Sequence, residues 1–140
     1  MFLKLIKTII TRKKIFVYTP LALIWVLLFI LTSLPGSELP AIKVSDKVLH
    51  FISYEVLGIF LYLTLVIQNQ IKLMKTFPAL SALMVAVVYG GFDEIHQSVI
   101  PGRSCDIYDW IADICGALCA VTLIKIVSAL IGKKYKKETG

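Results

Sequence analysis

Four apolar stretches dominate the sequence, and each is long enough to cross a lipid bilayer. They occupy approximately residues 15–34, 48–67, 77–92 and 107–131. A hydrocarbon core of about 30 Å requires about 20 apolar residues in an α-helix. Hydrophobic residues make up 58% of the 140-residue chain, against about 45–50% in soluble domains. The sequence therefore predicts an all-α membrane protein, a compact bundle of four transmembrane helices.

The first apolar stretch follows several cations, as the core of a secretory signal does. Its apolar core is too long for a signal, however, and no small-x-small cleavage site follows it. We therefore predict that it is a retained helix. The connections between the stretches are short and contain no repeat or low-complexity segment, so residues 1–140 are predicted to form one transmembrane domain.

Lysine and arginine are distributed unevenly among the connections. Eleven precede the first stretch, separate the second from the third or follow the fourth, whereas the other two loops contain three, Lys43, Lys47 and Arg103. The positive-inside rule then places both termini in the cytoplasm. The net charge of +6 is thus a topology signal. We expect membrane lipids around the protein and no nucleic-acid partner.

Polar side chains form three helical stripes near the predicted outer side of the membrane. The members of each stripe share a helix face because they are three or four residues apart. Ionisable groups at this depth cost several kcal/mol unless they face inward and find partners, so we expect one shared, inward-facing cluster. The stripes are Asp46, His50 and Tyr54 in the second stretch, Asp93 and Gln97 in the third, and Asp106, Asp109 and Asp113 in the fourth.

Small residues predict which helices approach closely. The third stretch carries Ala82, Ala86 and Gly90 at four-residue spacing, and the fourth carries Ala112, Gly116 and Ala120. This spacing lets transmembrane backbones pack tightly. If the two small-residue stripes meet, Asp93 and Asp113 are drawn toward each other.

Arg103 directly follows a predicted tight turn at Pro101-Gly102, in which proline presets φ and glycine tolerates a positive φ. Two interpretations of Arg103 stay open. Its planar fork can clamp an acid of the same region, namely Asp93, Glu94, Asp106 or Asp109. Alternatively, it can hold a phosphate or carboxylate of a ligand.

Other polar residues are less informative. His96 is expected to be solvated or in a loop, and Glu55 has no predicted partner. The Gly90-Gly91 pair is a candidate break in the third helix, which would leave Asp93 and Glu94 in a loop. Three cysteines give no disulfide framework.

No metal site or cofactor is predicted, although a divalent cation stays an open alternative. Carboxylates with Gln97 supply the oxygen ligands that calcium or magnesium takes, and His50 or His96 would suit zinc. Their spacing matches no established metal motif.

Two segments resemble the VanZ-like family of small bacterial membrane proteins. They are "DKVLHFISYEVLG" (46–58) and "YGGFDEIHQSVIPGRSCDIYDWIADICGAL" (89–118). The family pattern is D-K-x-x-H-F-x-x-Y, then D-E-x-x-Q, P-G-R and D-x-x-x-N-x-x-G. The matching positions are Asp46, Lys47, His50, Tyr54, Asp93, Glu94, Gln97, Arg103, Asp109 and Gly116.

The chain departs from the family pattern at Asp113, where the family usually has asparagine, so any role that needs the amide donor is in doubt. The resemblance implies a bacterial cytoplasmic membrane and a role in the cell envelope. The family takes its name from a member linked to low-level resistance to the glycopeptide teicoplanin, and it has no settled reaction.

Our leading hypothesis is an envelope protein that binds an amphiphilic ligand, such as a lipoglycopeptide or a lipid-linked wall precursor, at its outer mouth. The excess of acids there attracts cations. The candidate ligand-binding residues are Asp46, His50, Tyr54, Asp93, Glu94, Gln97, Arg103, Asp106, Asp109 and Asp113.

The alternative is an intramembrane hydrolase or transferase for a lipid-linked substrate. In that interpretation Arg103 holds the anion, His50 oriented by Asp46 is the general base, and Glu94 is the proton donor. Whether the protein is an enzyme stays open. Proton-coupled efflux through Glu55 is disfavoured, because the first stretch has no acid.

Overall fold

Four helices long and apolar enough to span a membrane make up most of the described chain. In the computed structural model, which describes Arg12, residues 14–38 and residues 44–139, these four spans are Ile15–Ser33, Asp46–Ile67, Pro78–Gln97 and Ile107–Gly132. The fourth helix continues to Thr139. Short helical segments occur at Gly36–Glu38 and Lys72–Thr76. The predicted all-α fold with four membrane-length helices is therefore confirmed.

The first span begins with a π-helical stretch, Lys14–Tyr18, and continues as the α-helix Thr19–Ser33. Proline occupies one of the first two positions of this α-helix and of the third span, where its missing N–H leaves no helical hydrogen bond unmade. The fourth span begins at a side-chain cap, because Asp106 Oδ1 accepts the Tyr108 N–H at 2.8 Å. These local signals fix where the helices begin.

The third span extends further than the sequence predicted, to Gln97 rather than to residue 92. Gly90 and Gly91 do not break it, because Trp110 of the fourth span packs against both glycines. The Trp110 indole N–H also donates to the Val87 carbonyl at 2.9 Å. Asp93, Glu94 and Gln97 are consequently helical residues, which corrects the suggestion that the first two could lie in a loop.

The second and fourth spans make the closest approach in the bundle. A Cβ added to Gly116 would overlap the Phe51 carbonyl oxygen and lie 2.9 Å from the Glu55 amide nitrogen. A Cβ on Gly58 would lie 3.0 Å from the Ala120 Cβ. The expectation that the small-residue stripe of the fourth span meets that of the third is therefore wrong for Gly116 and Ala120, since both face the second span.

The core lies along the second span. Tyr54, Leu57 and Leu61 are buried there against Ala82 and Ala86 of the third span. The first span packs at the periphery, since Val17, Leu28 and Thr32 are its only buried residues with described side chains. The second span is thus the central helix of the bundle.

Because the helix contact at Gly116 leaves no room for a side chain, Gly116→Ala should destabilise the protein by about 1–3 kcal/mol, the usual cost of overpacking. Gly132→Ala is the matched control, since no described residue of another helix or loop has an atom within 4 Å of a Cβ placed there. Both changes gain the same helix propensity. Unfolding in detergent by increasing SDS measures the difference, and equal stability of the two variants would contradict this packing.

Candidate ligand-binding site

Two loops meet at one end of the bundle, which we call the polar end; among the described residues it comprises 33–38, 44–54 and 93–113. The Gly36 N–H donates to the Pro101 carbonyl at 3.0 Å. Gly102 has a φ of +74°, which confirms the predicted use of glycine in this turn. A Cβ on Gly36 would overlap the Gly102 carbonyl oxygen. These contacts hold the loop that carries Arg103 against the end of the first span.

Three spans contribute to a buried acid and histidine cluster at the polar end. His50 Nδ1 lies 2.9 Å from Asp113 Oδ1 and 4.0 Å from Glu94 Oε1. Asp113 is 0% exposed and Glu94 is 3% exposed. Glu94 Oε2 accepts the Asp106 N–H at 2.8 Å, so Glu94 joins the third span to the start of the fourth.

Lys47 is the cation that binds the acids of the fourth span. Its Nζ lies 2.8 Å from Asp106 Oδ2 and 3.0 Å from Asp109 Oδ1. Asp109 is buried, whereas Asp106 and Lys47 are partly exposed. The hydrogen bond from Lys47, followed by that from the Tyr108 N–H, lowers the pKa of the Asp106 carboxyl. Lys47 thereby ties the start of the second span to the start of the fourth.

Arg103 does not clamp an acid, which corrects the first of the two interpretations. Its Nε donates to Gln97 Oε1 at 3.0 Å, and one terminal nitrogen donates to the same oxygen. Within residues 14–38 and 44–132 no carboxylate forms an ion pair with Arg103. The arginine is held by a neutral amide, so its charge is not neutralised by a direct partner.

A partly open cavity of about 300 Å³ lies between the first and second spans at the polar end. Its lining combines apolar and polar side chains. The apolar lining residues are Leu28, Leu31, Val44 and Leu49. The polar lining residues are Thr32, Asp46, His50, Ser53, Tyr54, Asp93 and Arg103. A volume of this size is at the lower end of the range for small-molecule sites.

The predicted site residues fall into two groups. One group lines the cavity: Asp46, His50, Tyr54, Asp93 and Arg103. The other group lies outside the lining and is bonded to lining residues, to Lys47 or to another member of the group: Glu94, Gln97, Asp106, Asp109 and Asp113. All three predicted stripes thus reach the same end of the bundle.

Several side-chain roles differ from the sequence interpretation. His50 is oriented by Asp113 of the fourth span and not by Asp46, because the His50 Nδ1 contact is with Asp113. His96 is helical and partly buried rather than in a loop: its Nε2 lies 3.0 Å from Ser33 Oγ, and its ring stacks on Phe29. Glu55, which had no predicted partner, accepts a 3.5 Å hydrogen bond from Cys119 Sγ.

Sequence reasoning missed three contributors to the site. Thr32 and Ser53 line the cavity, and Lys47 pairs the acids. Thr32 and Ser53 are hydroxyl residues within otherwise apolar helices, which is a usable signal. Lys47 was matched to the family motif, but its spacing from the acids of the fourth span, 59 residues or more, gives no local sign of the contact.

The fold and the site define a class: a four-span helical membrane protein whose buried charges converge at one end of the bundle. The model of the VanZ/LLP1 family matches residues 3–128, nearly the whole chain. The protein therefore belongs to this VanZ-like family. No curated protein and no solved structure matches the chain significantly.

Lys47→Met should destabilise the protein at neutral pH and much less in acid. Since the pKa of Asp106 is lowered in the folded state, its pairing contributes stability above its ordinary pKa of about 3.9, and this contribution is lost as pH falls below that value. The stability difference between parent and variant should thus be constant near neutral pH and shrink as the pH falls from about 5 to below about 3.9. Thermal unfolding in detergent measures it, and a difference independent of pH would contradict the pairing.

Proposed function

We propose that this protein binds the charged head and part of the apolar chain of an amphiphilic cell-envelope ligand in the cavity between its first and second spans. The observation that carries the proposal is the mixed lining of that cavity, which contains leucines together with His50, Asp93 and Arg103. A site of this kind suits a molecule that is itself polar at one end and apolar at the other.

The charges of the site favour a ligand that carries a cation. Asp46 and Asp93 line the cavity with Arg103 as the single lysine or arginine among its described lining residues. Lys47, a second cation among the described residues of the polar end, is already engaged with two acids. The resulting negative field attracts a positive group, while Arg103 remains available for a phosphate or carboxylate. A zwitterionic headgroup satisfies both.

The uneven distribution of Lys and Arg supports an orientation with both termini in the cytoplasm. In a bacterial cytoplasmic membrane the polar end would then face outward. Lipid-linked wall precursors and lipoglycopeptide antibiotics such as teicoplanin are amphiphiles that would meet the protein on that side. Low-level teicoplanin resistance through binding at this cavity is accordingly the specific form of the proposal.

Filling the cavity should weaken binding of the ligand. Ser53→Phe places a bulky ring at a lining position. The matched control is Ile52→Phe, because Ile52 is the neighbouring residue and is 49% exposed on the outer surface of the bundle. If the ring and the ligand compete for the same space, a crowding cost of about 1–3 kcal/mol in the complex corresponds to an affinity loss of about 5- to 150-fold for Ser53→Phe. Ile52→Phe should bind as the parent does.

Two measurements test this. The first is teicoplanin susceptibility of a glycopeptide-susceptible bacterium that expresses parent, Ser53→Phe, Ile52→Phe or Arg103→Ala. The second is binding of a fluorescent lipoglycopeptide to the purified protein in nanodiscs. No change in susceptibility with the parent would remove the antibiotic form of the proposal. Equal binding by Ser53→Phe and Ile52→Phe would remove this cavity as the site.

A second candidate function is hydrolysis or group transfer on a lipid-linked substrate. The observation in its favour is the contact of 2.9 Å between His50 and the fully buried Asp113, because a carboxylate that orients an imidazole prepares it as a general base. Arg103 would hold the anionic part of the substrate. Turnover by the purified protein that is lost in His50→Gln would support this candidate, and failure across a panel of envelope lipids would count against it.

A further inference from the structure

Two carboxylate oxygens in the interior of the polar end have no hydrogen-bond partner among the described residues. They are Glu94 Oε1 and Asp113 Oδ2, and both residues are more than nine-tenths buried. A buried charged oxygen without a partner is costly, and native structures usually satisfy it with water, a proton or an ion. The two oxygens belong to the residues that face His50 Nδ1.

The spacing of these side chains matches the needs of a small metal ion. One ligand atom each from His50, Glu94 and Asp113 can be chosen so that all three lie within 4.8 Å of one another. Ligand atoms that hold zinc at about 2.0–2.2 Å in a tetrahedron lie about 3.3–3.6 Å apart. The His50 Nδ1 distances of 2.9 Å to Asp113 and 4.0 Å to Glu94 bracket that value, so small side-chain shifts suffice.

The chemistry of the donor set selects the kind of ion. One imidazole and two carboxylates are the ligands of transition-type divalent ions such as zinc, whereas calcium and magnesium prefer oxygen donors alone. Three protein ligands with a free fourth position are typical of zinc sites that bind water or a ligand. His50 also lines the cavity, which provides an entry path for the ion.

In a neighbouring triad, Asp46, His50 and Asp109, the ligand atoms also lie within 4.8 Å of one another. This triad is a weaker candidate for a metal site. Asp109 is already paired with Lys47 at 3.0 Å, and Asp46 is exposed to solvent. An ion there would have to compete with both. The buried triad lacks such a competing cation within 4 Å among the residues with described side chains.

We propose that His50, Glu94 and Asp113 form a binding site for one divalent transition-metal ion of the zinc class. The ion takes the place of the proton shared between His50 and Asp113 and offsets the negative charge of the buried acids. No spacing in the sequence indicates this site, because its three ligands come from three different spans. The site stands independently of the ligand proposed for the cavity.

Zinc itself is the probe, used with the full chain in detergent after treatment with a chelator. Cysteine also binds zinc, so the parent for this experiment carries Cys105→Ser, Cys115→Ser and Cys119→Ser. Competition against a chromogenic chelator gives stoichiometry and affinity. We expect one zinc ion per chain and binding at least about tenfold weaker in Glu94→Gln and in Asp113→Asn. Asp46→Asn, the matched control from the neighbouring triad, should change zinc affinity little.

Cobalt supplies a second readout, because Co²⁺ replaces zinc and absorbs in the visible range according to its ligands. The cysteine-free parent should show weak bands of nitrogen and oxygen ligation that disappear in Asp113→Asn. Circular dichroism and size exclusion check that each variant folds.

Three results would overturn the proposal. They are less than one zinc ion per cysteine-free parent chain, an affinity for zinc no greater than that for magnesium, and an affinity unchanged in folded Glu94→Gln and Asp113→Asn. The first two depend on the parent alone, so misfolded variants do not leave the question open.

Discussion

The contact between His50 and Asp113 is the interaction on which the polar end of this bundle depends. It joins the second span to the fourth across 2.9 Å, and both side chains are buried, Asp113 fully and His50 at the wall of the cavity. Leaving either charge without its partner would cost several kcal/mol. The contact is possible because Gly116 lets the fourth span approach the Phe51 carbonyl. A side chain at position 116 would push the two partners apart.

The charged residues around this pair lie at different depths below the surface of the polar end. Lys47 holds Asp106 and Asp109 at the partly exposed rim. Glu94 bridges the rim to the interior, since one oxygen accepts the Asp106 N–H and the other faces His50. The cavity lies beside this arrangement and shares His50 with it. The charge of the buried cluster would therefore affect the affinity of the cavity for its ligand. This effect links the proposed binding of an amphiphile to the proposed metal site.

Much of this arrangement could be predicted from local spacing. The length of the apolar stretches predicted the four spans. The four-residue spacing of Asp46, His50 and Tyr54 predicted that they share one helix face, and all three line the cavity. Partners across helix interfaces could not be predicted in this way. Asp46 is one turn from His50 and was the predicted partner of that histidine. The hydrogen-bond contact of His50 is instead with Asp113, because the second and fourth spans approach closely at Gly116. Likewise Lys47, and not Arg103, binds Asp106 and Asp109, since the first turn of the second span lies beside the start of the fourth.

The most direct test of the account is a double-mutant cycle between the second and fourth spans. His50→Gln, Asp113→Asn and the double variant are unfolded by SDS in detergent with a chelator present, so that bound metal does not contribute. If the two side chains are partners, their effects are not additive, and the coupling free energy is about 1 kcal/mol or more. Effects that add to within about 0.3 kcal/mol would show that His50 and Asp113 act independently, and the buried cluster would not be the centre of the structure.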